Sequence, residues 1–324
     1  MRVRAISVRG TGGPEVLTLV DRPEPEPGPG DLVVRLAAAG VNFVDTYHRT
    51  GLYPMPLPFV PGVEGAGTVV AVGADAEGFA PGDVVAWSDA PESYAELVRV
   101  PAARAVPVPP GVDAERAAAA VLQGLTAHFL THDTYPLRAG DRCLIHAGAG
   151  GVGRLAVQLA KSRGAKVFAT VGSVEKAELV RGAGADHVID YNAEDFGDAV
   201  EAIAGPRALD VVYDGVGRAT FARGLDLLRP RGMMVTFGNA SGAVEPLAPL
   251  TLMQKGSLFL TRPTLHDYVA TTEELRARAA DLLGAVASGS LDVRVGARLP
   301  LADAAEAHRL LESRTTTGKL LLIP

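Results

Sequence analysis

The sequence predicts an α/β protein with a doubly wound parallel sheet, preceded by a mainly β region. Between residues 141 and 261, apolar strand-like segments alternate with helical segments, which is the pattern of a parallel sheet covered by helices. A glycine-rich turn at residues 148–153 joins the first strand of this run to its first helix. The first third of the chain instead has short strands at irregular spacing between Gly- and Pro-rich turns, as in all-β domains.

The remaining elements follow from local patterns in chain order. Alternating or continuous apolar residues predict early strands, and alanine-rich or amphipathic runs predict helices. Prolines in residues 21–30 predict an extended surface connection, because proline donates nothing to a β-ladder. We expect the tail after residue 261 to return to the first domain, since the doubly wound sheet is already complete. The predicted early strands are 1–8, 16–19, 32–38, 62–73 and 82–86, and the flanking helices are 114–131, 272–287 and 301–314.

The glycine-rich turn has the surroundings that a dinucleotide site requires. The apolar segment Cys143–His146 enters it, a helical pattern follows, and Lys166–Val171 forms the next strand. The spacing fits G-x-G-x-x-G, whose glycines allow a tight turn, approach of backbone N–H groups to a pyrophosphate, and close helix packing. The helix N-terminus adds positive partial charge. The residues predicted to hold the dinucleotide here are Ala149, Gly150, Gly151 and Val152.

Other predicted strands of the same run also end in glycine-bearing or polar segments. Ligands of open α/β sheets bind beyond the carboxyl ends of the strands, so these segments are candidates for further cofactor contacts. The residues concerned are Gly172, Ser173, Lys176, Tyr191, Gly217, Phe237, Gly238, Asn239 and Thr261.

Composition narrows the function classes. The 324 residues are 48% hydrophobic and 21% charged, with a formal net charge of −6 and no basic run. This balance argues against nucleic acid and anionic membranes as partners. The one cysteine, Cys143, excludes an intramolecular disulfide and a cysteine-based zinc site, and it lies in a predicted strand as an inert thiol. No signal-peptide pattern or membrane-length apolar run occurs, so we expect a soluble, cytoplasmic protein.

Several longer stretches together resemble one superfamily. They include GVNFVDTYHRTGLYP, PGVEGAGTVVAVG, HAGAGGVGRLAVQLAK and ESRTTTGKLLLIP. With them, the whole chain resembles the medium-chain dehydrogenase/reductase superfamily and, within it, the zinc-free quinone oxidoreductases related to zeta-crystallin. The resemblance implies a GroES-like catalytic domain from residues 1–121 and 262–324 and a Rossmann domain at 122–261. It also implies NADPH-dependent reduction of quinones in the cleft between the domains.

The resemblance also implies a homodimer, and we expect it to pair through the edge strand of the Rossmann sheet. The apolar segment 257–260 ends the doubly wound run, and an exposed strand edge invites pairing with a second copy.

Zinc can be examined residue by residue. Alcohol dehydrogenases of this superfamily carry a Cys before the first catalytic helix and a His in a GHE motif. Asn42 and Val63 stand at the corresponding positions here, and neither supplies a thiolate or an imidazole. His128 and His132, four residues apart on a predicted helix, have no adjoining acidic motif. We therefore predict no metal site.

The end of the second strand of the doubly wound run indicates the cofactor. An NAD site places a carboxylate there for the ribose hydroxyls, whereas this chain has Gly172 and Ser173, a plausible N-cap. Lys176 in the first turn opposes the helix dipole, which an anionic partner would explain. The family uses this lysine for the adenosine 2′-phosphate, and Tyr191 could flank the phosphate or the adenine. The alternative is that Glu175 bonds the ribose of NADH and Lys176 is merely solvated.

The resemblance places the substrate near the linker and first helix. Asn42 could bond a quinone oxygen, and Tyr47 could bond the cofactor or the substrate; Tyr53 belongs to the same region. The alternative for both tyrosines is interface packing. Arg262 could line the cleft mouth or form a surface salt bridge, and Thr126 could reach the cofactor at the cleft floor.

The predicted reaction needs little from side chains, because the nicotinamide supplies the hydride and a quinone oxygen can take a proton from water. Two alternatives remain open from the residues. One is an NADPH-dependent reductase of the C=C bond of α,β-unsaturated carbonyls, with Tyr47 as proton donor. The other is a non-catalytic NADPH-binding protein.

Overall fold

A computed structural model describes residues 2–324. The chain forms two compact units. Unit 1 comprises the residues up to Leu125 together with Val269–Pro324, and unit 2 is Thr126–Tyr268. Two short ranges differ from the predicted domains. Residues 122–125 were predicted in the Rossmann domain but lie in unit 1, and residues 262–268 were predicted in the GroES-like domain but lie in unit 2.

Unit 1 is built mainly from strands. Its strands are β1 (Arg2–Ser7), β2 (Thr18–Pro23), β3 (Asp31–Val41), β4 (Gly65–Val72), β5 (Val84–Trp87), β6 (Leu97–Pro101) and β7 (Val106–Pro107). Its first helix is α1 (Phe43–Thr50), and α2 (Ala114–Phe129) crosses into unit 2, where residues 130–134 continue it as a π-helical turn.

Unit 2 alternates strands and helices. They are β8 (Arg142–Ile145), α3 (Gly151–Ser162), β9 (Lys166–Val171), α4 (Val174–Gly182), β10 (His187–Asp190), α5 (Phe196–Ala204), β11 (Leu209–Asp214), α6 (Phe221–Leu227), β12 (Leu228–Thr236), α7 (Pro249–Gln254), β13 (Phe259–Thr261) and α8 (Leu265–Tyr268). The tail adds α9 (Thr272–Ser288), β14 (Val295–Pro300), α10 (Ala304–Glu312) and β15 (Lys319–Ile323) to unit 1.

The sheet of unit 2 confirms the predicted doubly wound fold. Its strand order is β10-β9-β8-β11-β12-β13, and every pair is parallel. The order reverses between β8 and β11, which is the switch point where such sheets bind ligands. Residues Cys143, Leu144 and Ile145 of β8 are all buried, as expected of a strand covered on both faces.

The tail returns to unit 1, as predicted. Strand β15 pairs antiparallel with β3, with Leu321 opposite Gly40, and β14 adds beside it in parallel. The sheet runs β14-β15-β3-β4-β5-β7, with β6 also paired to β3. Its core contains Trp87 and Tyr94, which are both 0% exposed.

Two local predictions for the first thirty residues were wrong. The predicted strand at 16–19 begins instead as a 3-10 turn at Pro14–Val16, because Pro14 stands at the start of a turn where its missing N–H costs nothing. The predicted loop at 21–30 begins late, since β2 extends to Pro23, which pairs with Arg2. A proline at the end of an outer strand keeps its carbonyl for pairing and needs no donor.

No helix within residues 2–324 has the length and apolar character needed to cross a membrane.

Candidate cofactor site and substrate site

The carboxyl ends of the parallel strands bring most of the predicted cofactor residues to one edge of the sheet in unit 2. The glycine turn follows β8, Gly172 and Ser173 follow β9, and Tyr191 follows β10. Gly217 follows β11, the segment 237–239 follows β12, and Thr261 ends β13. Because the strands are parallel and hydrogen-bonded in order, these ends lie side by side. Tyr47 alone of the predicted cofactor residues lies in unit 1.

Two glycines of the turn have different surroundings. A Cβ at Gly153 would overlap the Ala147 carbonyl, so Gly153 permits the close packing of α3 on the turn. A Cβ at Gly150 would meet only the Ala147 carbonyl oxygen, at 3.2 Å, among the described residues within 4 Å. Gly150 is also the N-cap of α3 and carries no capping side chain. That single contact is a close one, and Gly150 stands at the helix N-terminus, where a pyrophosphate would bind.

The end of β9 has the features expected of an adenosine phosphate site. The Ser173 hydroxyl accepts a hydrogen bond from the Lys176 backbone N–H at 3.3 Å and caps α4, as predicted. The Lys176 side chain is half-buried, and this desolvation lowers the pKa of its ammonium group. The Tyr191 hydroxyl lies so close to Gly172 that a Cβ on Gly172 would collide with it. Asn192 donates to the Gly172 carbonyl at 2.9 Å and joins the two strand ends.

A buried carboxylate that the sequence analysis missed shapes the turn after β11. Asp214 is 0% exposed. Its Oδ1 accepts hydrogen bonds from the backbone N–H groups of Val216, at 2.7 Å, and Gly217, at 3.0 Å. The Thr220 hydroxyl donates to the same carboxylate at 2.9 Å. The turn is therefore held next to the β12 end, where a Cβ on Gly217 would lie 3.4 Å from the Asn239 Cα.

Arg262 and Thr126 both belong to unit 2. The Arg262 guanidinium donates to the Gly238 carbonyl at 3.0 Å, and its distance to the Thr236 hydroxyl is 3.4 Å. It thus joins the ends of β12 and β13, beside the predicted cofactor residues Gly238 and Asn239. Thr126 is half-buried in α2.

The predicted aromatic substrate residues form a cluster in unit 1. Tyr47 lies in α1, and its ring meets the Tyr53 ring edge-on with centroids 5.3 Å apart. Phe43 and His48 extend the cluster, at 6.4 Å from Tyr47 and 6.2 Å from Tyr53. Tyr53 is 39% exposed, so its ring is available to an aromatic ligand. Both the binding and the packing interpretation of these tyrosines remain predictions.

Asn42 lies at the start of α1 and is 5% exposed. Its Oδ1 accepts a hydrogen bond from the Lys319 ammonium at 2.7 Å, and its Nδ2 donates to a Glu64 carboxylate oxygen at 2.8 Å. Lys319 and Glu64 form an ion pair that is 1% and 0% exposed. Sequence reasoning missed both charged residues, since Glu64 is 22 positions and Lys319 is 277 positions away from Asn42. An isolated Glu or Lys in a strand-like segment carries no local signal of such a contact.

These contacts do not fit a zinc ion. Zinc requires thiolate, imidazole or carboxylate ligands in a tetrahedral arrangement. The Asn42 oxygen is already bonded to a cation of the chain itself, and Val63 has no side-chain donor atom. No group of three or more His, Cys, Asp or Glu residues within 2–324 is arranged to hold a metal. His128 and His132 stack face to face with centroids 4.0 Å apart, which is a packing arrangement.

A second buried network supports α1. The Asp45 carboxylate is 0% exposed and accepts from the Asn42 backbone N–H at 2.8 Å and the Tyr94 hydroxyl at 2.9 Å. Its other oxygen, Oδ1, is buried without a hydrogen-bond partner among the described residues. Desolvation raises the pKa of Asp45 to about 7, against the opposing effect of these hydrogen bonds.

The network continues from Tyr94 to His308 and Arg49, which are also buried. The Tyr94 hydroxyl lies 3.2 Å from His308 Nε2, and Arg49 Nη1 lies 3.1 Å from His308 Nδ1. Burial, assisted by the Arg49 charge, lowers the pKa of His308 to about 3. Since Arg49 can only donate, neutral His308 accepts at Nδ1 and donates from Nε2 to Tyr94.

Cys143 lies buried in β8, and desolvation raises the pKa of its thiol. The structure thus agrees with the expectation of an inert cysteine.

Comparison with known families agrees with this architecture. Residues 28–110 match the alcohol dehydrogenase GroES-like domain, and residues 151–284 match the family described as zinc-binding dehydrogenase. Unit 1 therefore contains a GroES-like domain and unit 2 a Rossmann domain, the pair that defines the medium-chain dehydrogenase/reductases.

Full-length relatives narrow the class. The chain is 46% identical to a quinone oxidoreductase of Pseudomonas aeruginosa over 99% of both chains. It matches the crystal structure of Escherichia coli quinone oxidoreductase in complex with NADPH with a TM-score of 0.96, 43% identity and coverage of 99% and 100%. It is also 39% identical to a 2-haloacrylate reductase of a Burkholderia species over 99% of both chains. The chain belongs to the zeta-crystallin-like quinone oxidoreductase branch of the superfamily.

Proposed function

We propose that this protein is an NADPH-dependent quinone oxidoreductase that works without zinc. The observation that carries the proposal is the edge of the unit 2 sheet, where a glycine turn at a helix N-terminus and a half-buried lysine follow neighbouring strands. Full-length similarity to quinone oxidoreductases, one of them solved with NADPH, supports the same activity.

The chain offers separate groups for the two ends of the cofactor. The N–H groups at the start of α3 would hold the pyrophosphate at Gly150, and Lys176 with Ser173 would hold the 2′-phosphate. Tyr191 would flank the adenosine at the end of β10. NADPH, when bound, supplies the hydride, so the protein must mainly orient it and exclude water.

The substrate residues have different roles in this proposal. The clustered rings of Tyr47 and Tyr53 offer an apolar, partly exposed surface for a planar quinone, and Asn42 offers an amide hydrogen to its oxygen. Arg262 holds the β12 end through Gly238, so we assign it a supporting part at the cofactor site. We see no side chain that must act as a general acid, because water can protonate the reduced oxygen.

An assay of the purified protein tests the proposal. NADPH oxidation is followed with 1,4-benzoquinone, with 1,2-naphthoquinone and with an enone such as 3-buten-2-one, and each is repeated with NADH. The proposal expects the largest kcat/KM with NADPH and a quinone. NADPH binding with no turnover of any acceptor would instead identify a non-catalytic binding protein.

Reduction of an activated C=C bond is the second candidate, because one relative is named a 2-haloacrylate reductase. Such a reaction needs a proton donor near the α carbon, and the Tyr47 hydroxyl is the candidate. A Tyr47→Phe variant would then lose turnover of the enone and keep turnover of the quinone. If the parent reduces the enone with the higher kcat/KM, the C=C reductase is the correct assignment.

Zinc independence is supported by the residues around Asn42 and is tested by metal content. The purified protein should contain no stoichiometric zinc, and prolonged treatment with a chelator should leave kcat unchanged. About one zinc per chain in elemental analysis, lost together with activity on chelation, would contradict this part of the proposal.

We further propose a homodimer formed through β13, the outer strand of the unit 2 sheet. Exposed apolar side chains support this arrangement: Phe259 and Leu260 on β13, and Leu250 and Met253 on neighbouring α7. An exposed apolar strand edge favours pairing with a second copy about a two-fold axis. The cytoplasmic location remains a prediction.

A further inference from the structure

A buried ion pair in unit 1 joins segments that are far apart in the chain. Lys319 begins β15 and Glu64 precedes β4, and their side chains are 1% and 0% exposed. Withdrawing two charges from water is costly, so a buried pair persists only where further hydrogen bonds satisfy both groups. Here Asn42 supplies such a bond to each of them, through different atoms of one amide.

The pair fixes the direction of the Asn42 amide. Its oxygen faces the Lys319 ammonium, which can only donate, and its nitrogen faces a Glu64 oxygen, which can only accept. Rotation of the amide by half a turn would set donor against donor and acceptor against acceptor. One of the two amide orientations is therefore excluded by charge.

The same orientation leaves one amide hydrogen weakly held. Besides its bond to Glu64, Asn42 Nδ2 donates to the Gly40 carbonyl at 3.3 Å, which is long for an N–H···O bond. A substrate carbonyl oxygen can take this hydrogen at little cost. The second Glu64 oxygen accepts from the Leu122 backbone N–H in α2 at 2.7 Å, so the pair also holds that helix beside Asn42.

We propose that Glu64 and Lys319 are positioning residues of the substrate site, which hold the Asn42 amide with its nitrogen available to the substrate oxygen. The inference rests on the proposed function, in which Asn42 meets the substrate. The new element is that a charge pair remote in sequence determines whether the substrate meets the amide nitrogen or the amide oxygen of Asn42.

The first test neutralises the carboxylate. In Glu64→Gln the Lys319 ammonium loses its counterion, and the new amide can present either its oxygen or its nitrogen to Asn42. The Asn42 amide is then held by Lys319 alone, through its oxygen. We expect kcat/KM for the quinone to fall on the order of 10- to 100-fold, while the Kd for NADPH stays within about twofold of the parent. Glu115→Gln is the matched control, because Glu115 pairs with Arg298 on the surface of the same unit.

The second test exchanges the two groups. Asn42→Asp alone sets two carboxylates against each other and should lower Tm and activity. In the double variant Asn42→Asp/Glu64→Gln, the ammonium again has one carboxylate, and the amide at position 64 can donate to the new carboxylate at position 42. The Tm should return towards that of the parent, but quinone kcat/KM should stay low, because position 42 no longer carries a donor.

The outcomes distinguish a positioning role of Glu64 and Lys319 from a role in stability alone. Recovery of both Tm and quinone kcat/KM in the double variant would overturn the inference, as would parent-like kcat/KM in Glu64→Gln. Because the double variant keeps the charge balance, it can still overturn the inference even if the single variants do not fold. A parent that turns over only the enone would contradict the proposed quinone reductase alone, and the same variants are then compared with the enone.

Discussion

In our proposal, Lys176 is the residue on which the choice between NADPH and NADH depends. It lies in the first turn of α4, where a cation opposes the helix dipole, and it is half-buried beside the Ser173 cap. A 2′-phosphate would offset both costs. The competing carboxylate, Glu175, is exposed on the same turn.

Replacing this lysine should change cofactor preference. Lys176→Ala removes a charge-assisted hydrogen bond of about 1.5–3 kcal/mol, and partial exposure moves the loss toward the lower figure. The kcat/KM for NADPH should therefore fall on the order of tenfold, mainly through KM, with that for NADH nearly unchanged. Steady-state kinetics with both cofactors measures this, and Lys166→Ala at the start of β9 is a control. An unchanged preference would return the assignment to Glu175 and NADH.

Asp45 is a buried residue of unit 1 whose ionisation affects the stability of the fold. Its folded-state pKa of about 7 lies above the ordinary value of 3.8, so the folded protein binds the proton more tightly than the unfolded chain. Its contribution to stability is complete below about pH 4 and decreases as the pH rises through 7. The difference corresponds to roughly 4 kcal/mol at most.

Asp45→Asn should remove this pH dependence. The amide oxygen introduced at position 45 can still accept from Asn42 and Tyr94, and no charge is buried at high pH. The difference in free energy of unfolding, variant minus parent, should therefore be more positive at about pH 8 than at about pH 5. Urea unfolding of both proteins at the two pH values measures it. A difference that does not vary with pH would show that Asp45 does not titrate in this range.

Among the secondary-structure elements, the turn between β8 and α3 has a packing role and, in our proposal, also binds the cofactor. Gly153 is needed for packing, since any Cβ there would overlap the Ala147 carbonyl, whereas a Cβ at Gly150 would make one close contact with that carbonyl oxygen, at 3.2 Å. The backbone at Gly150 has φ −73° and ψ 172°, which any residue can adopt. Packing therefore accounts for a glycine at 153, while a ligand at the helix N-terminus, together with the close carbonyl contact, would account for one at 150.

Alanine substitutions distinguish the packing role of Gly153 from the proposed cofactor-binding role of Gly150. Gly153→Ala should destabilise the protein by about 1–3 kcal/mol through overpacking. Gly150→Ala should cost about 1 kcal/mol or less as a changed N-cap, but should weaken NADPH binding on the order of tenfold, because the added methyl group enters the pyrophosphate position. Thermal unfolding and NADPH fluorescence titration give the two readouts. Equal effects of both substitutions on NADPH binding and on Tm would contradict the distinction.

For the protein as a whole, the outer strand β13 determines assembly in our proposal. Phe259 is 57% exposed although it lies in a strand of the sheet. Phe259→Lys should place a charge at the paired edge and convert the dimer to a monomer, which light scattering measures at micromolar concentration. Ile203→Lys is the control, because Ile203 is 49% exposed on α5, away from that edge. A monomeric parent would refute the dimer.

The alternation of strands and helices in unit 2, its glycine turn and the Ser173 cap were all predictable from sequence, because each depends on residues within a few turns of one another. Strand and helix periodicity, glycine spacing and capping are local properties. The return of the tail to unit 1 was also predictable, since a complete doubly wound sheet has no place for further strands. The failures at residues 16–19 and 21–30 came from two prolines. Pro14 starts a 3-10 turn, and Pro23 is tolerated at the end of an outer strand that does not need its N–H.

Sequence patterns alone were therefore sufficient for the fold class, the superfamily and the dinucleotide turn of this protein. The folded arrangement was needed to show that Asn42 bonds Glu64 and Lys319, that Asp214 organises the turn after β11, and that Asp45 lies on the buried side of α1. The reason is that a buried charge is stabilised by partners brought together by the sheet. The pairing of β15 with β3 places Lys319 beside Asn42 across 277 positions of chain, and no local pattern encodes a contact over that distance.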